Sequence, residues 1–105
     1  MDKTAILKKE LKKFKKEVSK KIPITEMIFF GSRAKGKGKR DSDIDLIIVS
    51  EKFKRKKFHQ RSVKLYDLWK IKHPVDFLCY TPKEFQEEKK KITIVREAVK
   101  EGIKI

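Results

Sequence analysis

The chain has 105 residues and carries 30 Lys plus Arg against 15 Asp plus Glu, a formal charge of +15. That length suits one domain, 1–105, with a modest core, and 38% hydrophobic residues are too many for a charged disordered tail. The longest apolar stretches, such as Leu46 to Val49, fall far short of the ~20 residues of a membrane span.

In chain order, residues 2–21 read as an amphipathic helix, because Leu7, Leu11, Phe14 and Val18 recur on one face and Lys fills the others. Glu10 and Glu17 interrupt its basic character and no apolar segment comes after it, so no secretory signal is expected and the location implied is cytoplasmic. Pro23 ends the helix. Thr25 to Phe30 has strand character and stops at Gly31-Ser32. A polar stretch, 33–42, leads into 43–50, whose LIIV end lacks alternation and reads as a strand buried on both faces.

Residues 52–72 read as a second helical region, with Phe58, Ser62, Leu65 and Trp69 on one face. Val75 to Tyr80 is a third strand. Thr81-Pro82 opens a helix, with Thr81 as N-cap, Pro82 at the first position and Glu84 in the N3 slot of a capping box. A last helix covers roughly 92–101, Gly102 stops it, and 103–105 adds an edge strand. Helices alternate with strands, so the fold class is α/β or α+β, built in layers from a small sheet packed against helices.

The lone Cys79 excludes an internal disulfide, and no Cys/His cluster offers a zinc site. Cys79 reads as a small buried hydrophobe, and His73, before Pro74, as a turn residue.

The chemistry concentrates in Gly31 to Leu46. A Walker A loop fails there, since Gly38 replaces the hydroxyl that would hold magnesium and no helix comes at once. An EF-hand loop starting at Asp41 fails as well, with Leu46 where Gly is needed and Lys52 where Glu is needed. Asp43 and Asp45, two residues apart on a strand, point the same way. Like charges so close repel unless a cation sits between them. Hard oxygen donors without His or Cys favour magnesium or manganese. Asp76 sits in the third strand between Val75 and Phe77, and three carboxylates converge if the two strands are neighbours. Gly31-Ser32, at a strand end leading into a helix start, offers backbone N–H groups to a phosphate, with Arg33, Lys35 and Lys37 around it. Together these are the parts of metal-assisted phosphoryl or nucleotidyl transfer.

Gly31-Ser32, ten intervening residues and Asp43-Ile44-Asp45 resemble the G-S-x10-D-x-D signature of the DNA polymerase β-type nucleotidyltransferase superfamily. Within it, the chain is most similar to the minimal nucleotidyltransferase group. The likeness extends to the N-terminal helix, the strand with Asp76, T-P-x-E-F at 81–85 and R-E-A-x-x-E-G at 96–102. The resemblance implies a two-layer nucleotidyltransferase fold with a small mixed sheet. It implies that Asp43, Asp45 and Asp76 hold two Mg2+ or Mn2+ ions, with Asp76 also assisting deprotonation of the acceptor. Gly31, Ser32, Arg33 and Lys35 would bind the nucleoside triphosphate. The implied reaction moves a nucleoside monophosphate, AMP from ATP, to a protein or small hydroxyl acceptor. Larger superfamily members carry a helical domain that grips the base, so base recognition here is expected from a shallow pocket, a homo-oligomer or a partner. In this group the usual partner is a HEPN-domain protein, the pair acting as a toxin–antitoxin module.

Two rivals stand beside that reading. One is a non-catalytic module that neutralises a HEPN partner by contact. The other is a basic nucleic-acid-binding protein, against which stand the missing zinc-finger and RNP motifs. The charge itself has two readings. It suits a polyanionic partner. It also suits a high-temperature composition, with 25 Lys against 5 Arg and no Asn, although only 9 Glu accompany the Lys.

Overall fold

The computed structural model of the chain describes residues 3–36 and 43–105. Helix α1 (Lys3–Ser19) buries Leu7, Leu11, Phe14 and Val18, the face expected from their spacing. Strand β1 (Glu26–Phe30) and strand β2 (Ile44–Val49) pair antiparallel, from Glu26 opposite Val49 to Phe30 opposite Asp45. Helix α2 (Val63–Leu68) then leads to β3 (Val75–Tyr80), which pairs parallel with β2 in a register that sets Asp45 beside Asp76. Helices α3 (Pro82–Lys89) and α4 (Ile94–Glu101) come next, and β4 (Ile103–Lys104) returns antiparallel to β1. The sheet order is β3-β2-β1-β4.

Period two sorts the sheet's side chains into two cores. Met27, Phe29, Ile44, Leu46, Ile48, Phe77 and Cys79 pack with α1 and Leu65 of α2. Ile28, Phe30, Ile47 and Val49 pack with Phe85 of α3 and with Val95 and Ala98 of α4. This is the small mixed sheet packed against helices that the sequence predicts, with a sheet-on-helix layer on each face. Strand β2 is covered on both sides, which explains its unbroken apolar run. Each fully buried aliphatic side chain there contributes about 1.5–3 kcal/mol by leaving water. Burial holds the Cys79 thiol as a neutral hydrophobe, its pKa pushed up to about 12.

The N-terminal cap of α3 is built as predicted. The Thr81 hydroxyl accepts from Glu84 N at 3.2 Å, and Glu84 Oε1 accepts from Thr81 N at 2.8 Å. Helix α4 begins at Ile94 rather than 92, with Thr93 as its cap.

The helical region expected over 52–72 is broken into short pieces. The chain there forms two single 3-10 turns, Glu51–Phe53 and Phe58–Gln60, before the six-residue α2. Tertiary demands override the periodicity. Phe53 is buried, Arg55 takes a positive φ of 72°, and Phe58, expected on the inner face, is 51% exposed. Arg61 takes the inner position instead. Its Nε donates to Lys56 O and its Nη1 to Cys79 O, both at 3.1 Å, while Nη1 and Nη2 form a fork on the Glu84 carboxylate. The Tyr66 hydroxyl donates to Val75 O at 3.1 Å. Arg61 and Tyr66 thus engage two carbonyls of β3, which ends the sheet. An edge strand blunted by side chains is protected against pairing with another chain.

Candidate active site

The carboxylates lie at one end of the sheet, where β2 and β3 begin and β1 finishes. Asp45 and Asp76 are register partners on adjacent parallel strands, about 4.8 Å apart at the backbone, and by parity both face the α3/α4 side. Asp43 precedes β2 and is exposed; Ile44 N, next to it, donates to Pro74 O at 2.9 Å, which starts the β2–β3 pairing. Asp76 is exposed and Asp45 half-buried. The Asp45 carboxyl is held above its ordinary value of 3.8, first by burial and then by the charges of Asp76 and Asp43. The neighbouring Tyr66 phenol is also raised, by burial first and by the Asp76 charge next.

Opposite Asp45, β1 ends at Phe30 and the chain turns at Gly31. Its φ of +84° is a conformation that glycine alone adopts at no cost, and a Cβ there would run into the Asp45 carboxylate. The glycine of the motif is therefore required twice, by its backbone angle and by the carboxylate against it. The helix start expected after Ser32 is corrected: 32–36 is a run of turns, with Ala34 N and Lys35 N both directed at Gly31 O, at 3.1 and 3.3 Å. Ser32 is exposed and Arg33 half-buried. Lys37, the remaining basic side chain predicted near the phosphate, lies outside the described residues, as do Gly38, Lys39, Arg40, Asp41 and Ser42.

A cleft of about 180 Å³ opens between this turn and α4, lined among others by Gly31, Lys35, Asp45, Glu97 and Glu101. Across it the Lys35 ammonium meets Glu101 Oε2 at 2.7 Å. The ion pair raises the Lys35 pKa and lowers that of Glu101. The sequence motif points to Lys35 but gives no role to Glu97 or Glu101. Their i, i+4 spacing on a helix whose other face is apolar is the signal that could have found them.

The donor set suits a hard divalent cation: oxygen ligands only, on adjacent strands, with a half-buried carboxylate whose charge two neighbouring carboxylates oppose. In the present side-chain conformations, however, no three His, Cys, Asp or Glu side chains among the described residues come close enough to hold a metal ion. Asp45 and Asp76 form a pair in register, and the exposed Asp43 lies just before the strand that carries Asp45.

Beyond the site, a model of the nucleotidyltransferase domain matches residues 11–104. A crystal structure from Sulfolobus solfataricus, of a protein assigned as a nucleotidyltransferase, superposes with a TM-score of 0.66 at 24% identity, covering 96% of this chain and 80% of that one, and so shares the fold. A second structure assigned the same way aligns at 27% identity over 77% of this chain and 85% of the other, with a TM-score of 0.46. No curated protein matches the chain. The domain match spans β1, Gly31, both aspartate strands and α4, and the chain belongs to the nucleotidyltransferase domain family, a family of transferases.

Proposed function

We propose that this chain is a metal-dependent nucleotidyltransferase of the minimal group, forming a single domain over 1–105, which moves AMP from ATP to a hydroxyl acceptor on a HEPN-domain protein partner. The observation that carries the reading is the register of Asp45 against Asp76, with Gly31 closed upon Asp45. In this reading Asp43, Asp45 and Asp76 hold two Mg2+ or Mn2+ ions, which when bound would neutralise charge on the phosphates and acidify the attacking hydroxyl.

The chain's own residues then have separate tasks. The backbone at Gly31 and Ser32 lies against the triphosphate, because a glycine with no Cβ lets phosphate oxygens approach main-chain N–H groups. Arg33 and Lys35 balance the negative charge of the phosphates. Asp76, exposed at the outer strand, takes the acceptor's proton. The acceptor oxygen forms a bond to the α-phosphorus, the bond from that phosphorus to the β-phosphate oxygen breaks, and pyrophosphate leaves with the bonding pair.

The test is transfer of label from α-labelled ATP, with Mg2+, to a HEPN-domain partner. Label should appear on the partner with the wild type and vanish with Asp43→Asn/Asp45→Asn. Equal labelling by both proteins sinks the catalytic reading. If the double variant still neutralises the partner in cells, contact alone suffices for that role.

A further inference from the structure

The R-E-A-x-x-E-G stretch at 96–102 has no task in nucleotidyl transfer itself, yet its last Glu reaches the site. Glu101 ends α4, and the chain beyond it is tightly fixed. Gly102 N donates to Ala98 O at 2.7 Å. A Cβ on Gly102 would collide with that carbonyl and sit 2.8 Å from Ile28 Cγ2. Ile103 and Lys104 then pair with Phe29 and Ile28 of β1, two or three residues before the turn at Gly31. Glu101 is thereby built onto the strand that delivers the phosphate turn.

The partner of Glu101 has a different footing. Lys35 lies on the turn segment 32–36, outside any helix or strand. Within that segment Ala34 packs against the α1-side core, and Lys35 bridges to Glu101 at 2.7 Å. Both members of the bridge keep 45% of their side-chain exposure, so an incoming anion and water can reach the ammonium. Glu97, one turn earlier on α4, lines the same cleft and adds a further attraction on Lys35.

We propose that Glu101 is a positioning residue: from the rigid α4–β4 junction it holds the Lys35 ammonium beside Gly31, in place to receive the triphosphate. This rests on the reading of Gly31, Ser32 and Lys35 as the triphosphate cradle. Glu101 touches neither substrate nor reacting atoms. It restricts a long, flexible side chain before the nucleotide arrives, so less freedom is lost on binding.

The experiment uses Mg2+-tripolyphosphate and Mg2+-ATP as titrants, read by calorimetry on the full chain. An exposed pair sets the scale of the effect. Glu101→Gln should weaken both titrants about three- to fivefold, with the melting temperature unchanged because the residue is exposed. Lys35→Gln should weaken them at least as much. Adding Glu101→Gln to Lys35→Gln should weaken them no further, since Glu101 then has nothing to place. Additive losses would assign Glu101 a general structural effect and overturn the inference. Equal or tighter binding by Glu101→Gln overturns it too, the latter by making Glu101 a competitor of the phosphate. In each of those cases the triphosphate reading survives. If neither titrant binds the wild type, that reading fails and this inference fails with it.

Discussion

Strands β2 and β3 run side by side from Ile44 and Val75 to Val49 and Tyr80, and their two ends are built on opposite principles. At the far end a buried charge has its partners. Arg61 is buried and gives hydrogen bonds to Lys56 O, Cys79 O and Glu84, while Glu84 closes the α3 capping box. Ser50, fully buried, caps the next turn through Lys52 N. At the near end, Asp45 and Asp76 stand in register as like charges, and Gly31 presses a positive-φ backbone against one of them. One end holds the fold together. The other spends stability on a geometry that a cation and a polyphosphate would complete. Like-charge contacts of that kind cluster at functional sites.

The largest consequence falls on chemistry. Asp45→Asn should lower nucleotidyl transfer by about 10³-fold or more, the scale of removing a group that stabilises transition-state charge. It should also raise the melting temperature slightly when measured in EDTA, because repulsion from Asp76 and Asp43 disappears. Adding Mg2+ should raise the melting temperature of the wild type and leave the variant unmoved. A variant that is inactive and also less stable in EDTA would break the contrast between the two ends.

Arg61→Ala tests the other end. It leaves Cys79 O and Lys56 O without their donor and Glu84 without its fork, and should cost about 2 kcal/mol. In a chain of this length that lowers the melting temperature by roughly 10 °C. Binding of Mg2+-tripolyphosphate should be untouched, which separates the strut from the site. Gly31→Ala should cost less in stability, about 1–2 kcal/mol for its forced positive φ. It should nonetheless abolish detectable tripolyphosphate binding, because the added Cβ displaces the Asp45 carboxylate and fills the phosphate approach. Urea denaturation and calorimetry read the two effects separately.

Legibility differed between the ends for the same reason. The near end is local in sequence: Gly31, Asp43 and Asp45 lie within one short stretch, and Asp76 is marked by being a charge inside an apolar strand. Period two then aligned the aspartates once β2 and β3 proved neighbours. The face of α1 and the α3 cap were equally local. What the sequence hid depends on distant partners. Phe58, Ser62, Leu65 and Trp69 keep a helical rhythm, but Arg61 is drawn to Cys79 O and Glu84, which places it inside and leaves Phe58 out. Trp69 itself meets Phe14 and Phe77 edge-on and donates its Nε1–H to His73 O, contacts that fix a short helix where a long one fitted the pattern. Glu101 was hidden likewise, since its meeting with Lys35 spans 66 positions of chain.

The smallest expected effect is on pH, and it sharpens the contrast by sign. The Arg61 fork, and after it the Thr81 N–H, hold the Glu84 carboxyl below its ordinary value of 4.5. A carboxyl lowered on folding binds its proton more readily when unfolded, so the stability it contributes is present above pH 4.5 and lost as pH falls through the lower, folded value. Glu84 keeps 42% of its side-chain exposure, so water screens the pair and the contribution stays below about 1 kcal/mol. The control is Arg61→Ala, which removes the cause of the lowering. Melting curves of wild type and variant, taken between pH 6 and pH 3, should converge as the acid is added, the wild type losing more. Asp45 works in the other direction, raised by burial and its neighbours, so its charge costs stability at neutral pH and the cost fades in acid. Wild type and Asp45→Asn, compared in EDTA over the same range, should therefore also converge, but with the wild type approaching from below. Parallel curves in either comparison would mean that the charge at that end of the strands contributes nothing to the balance between fold and site.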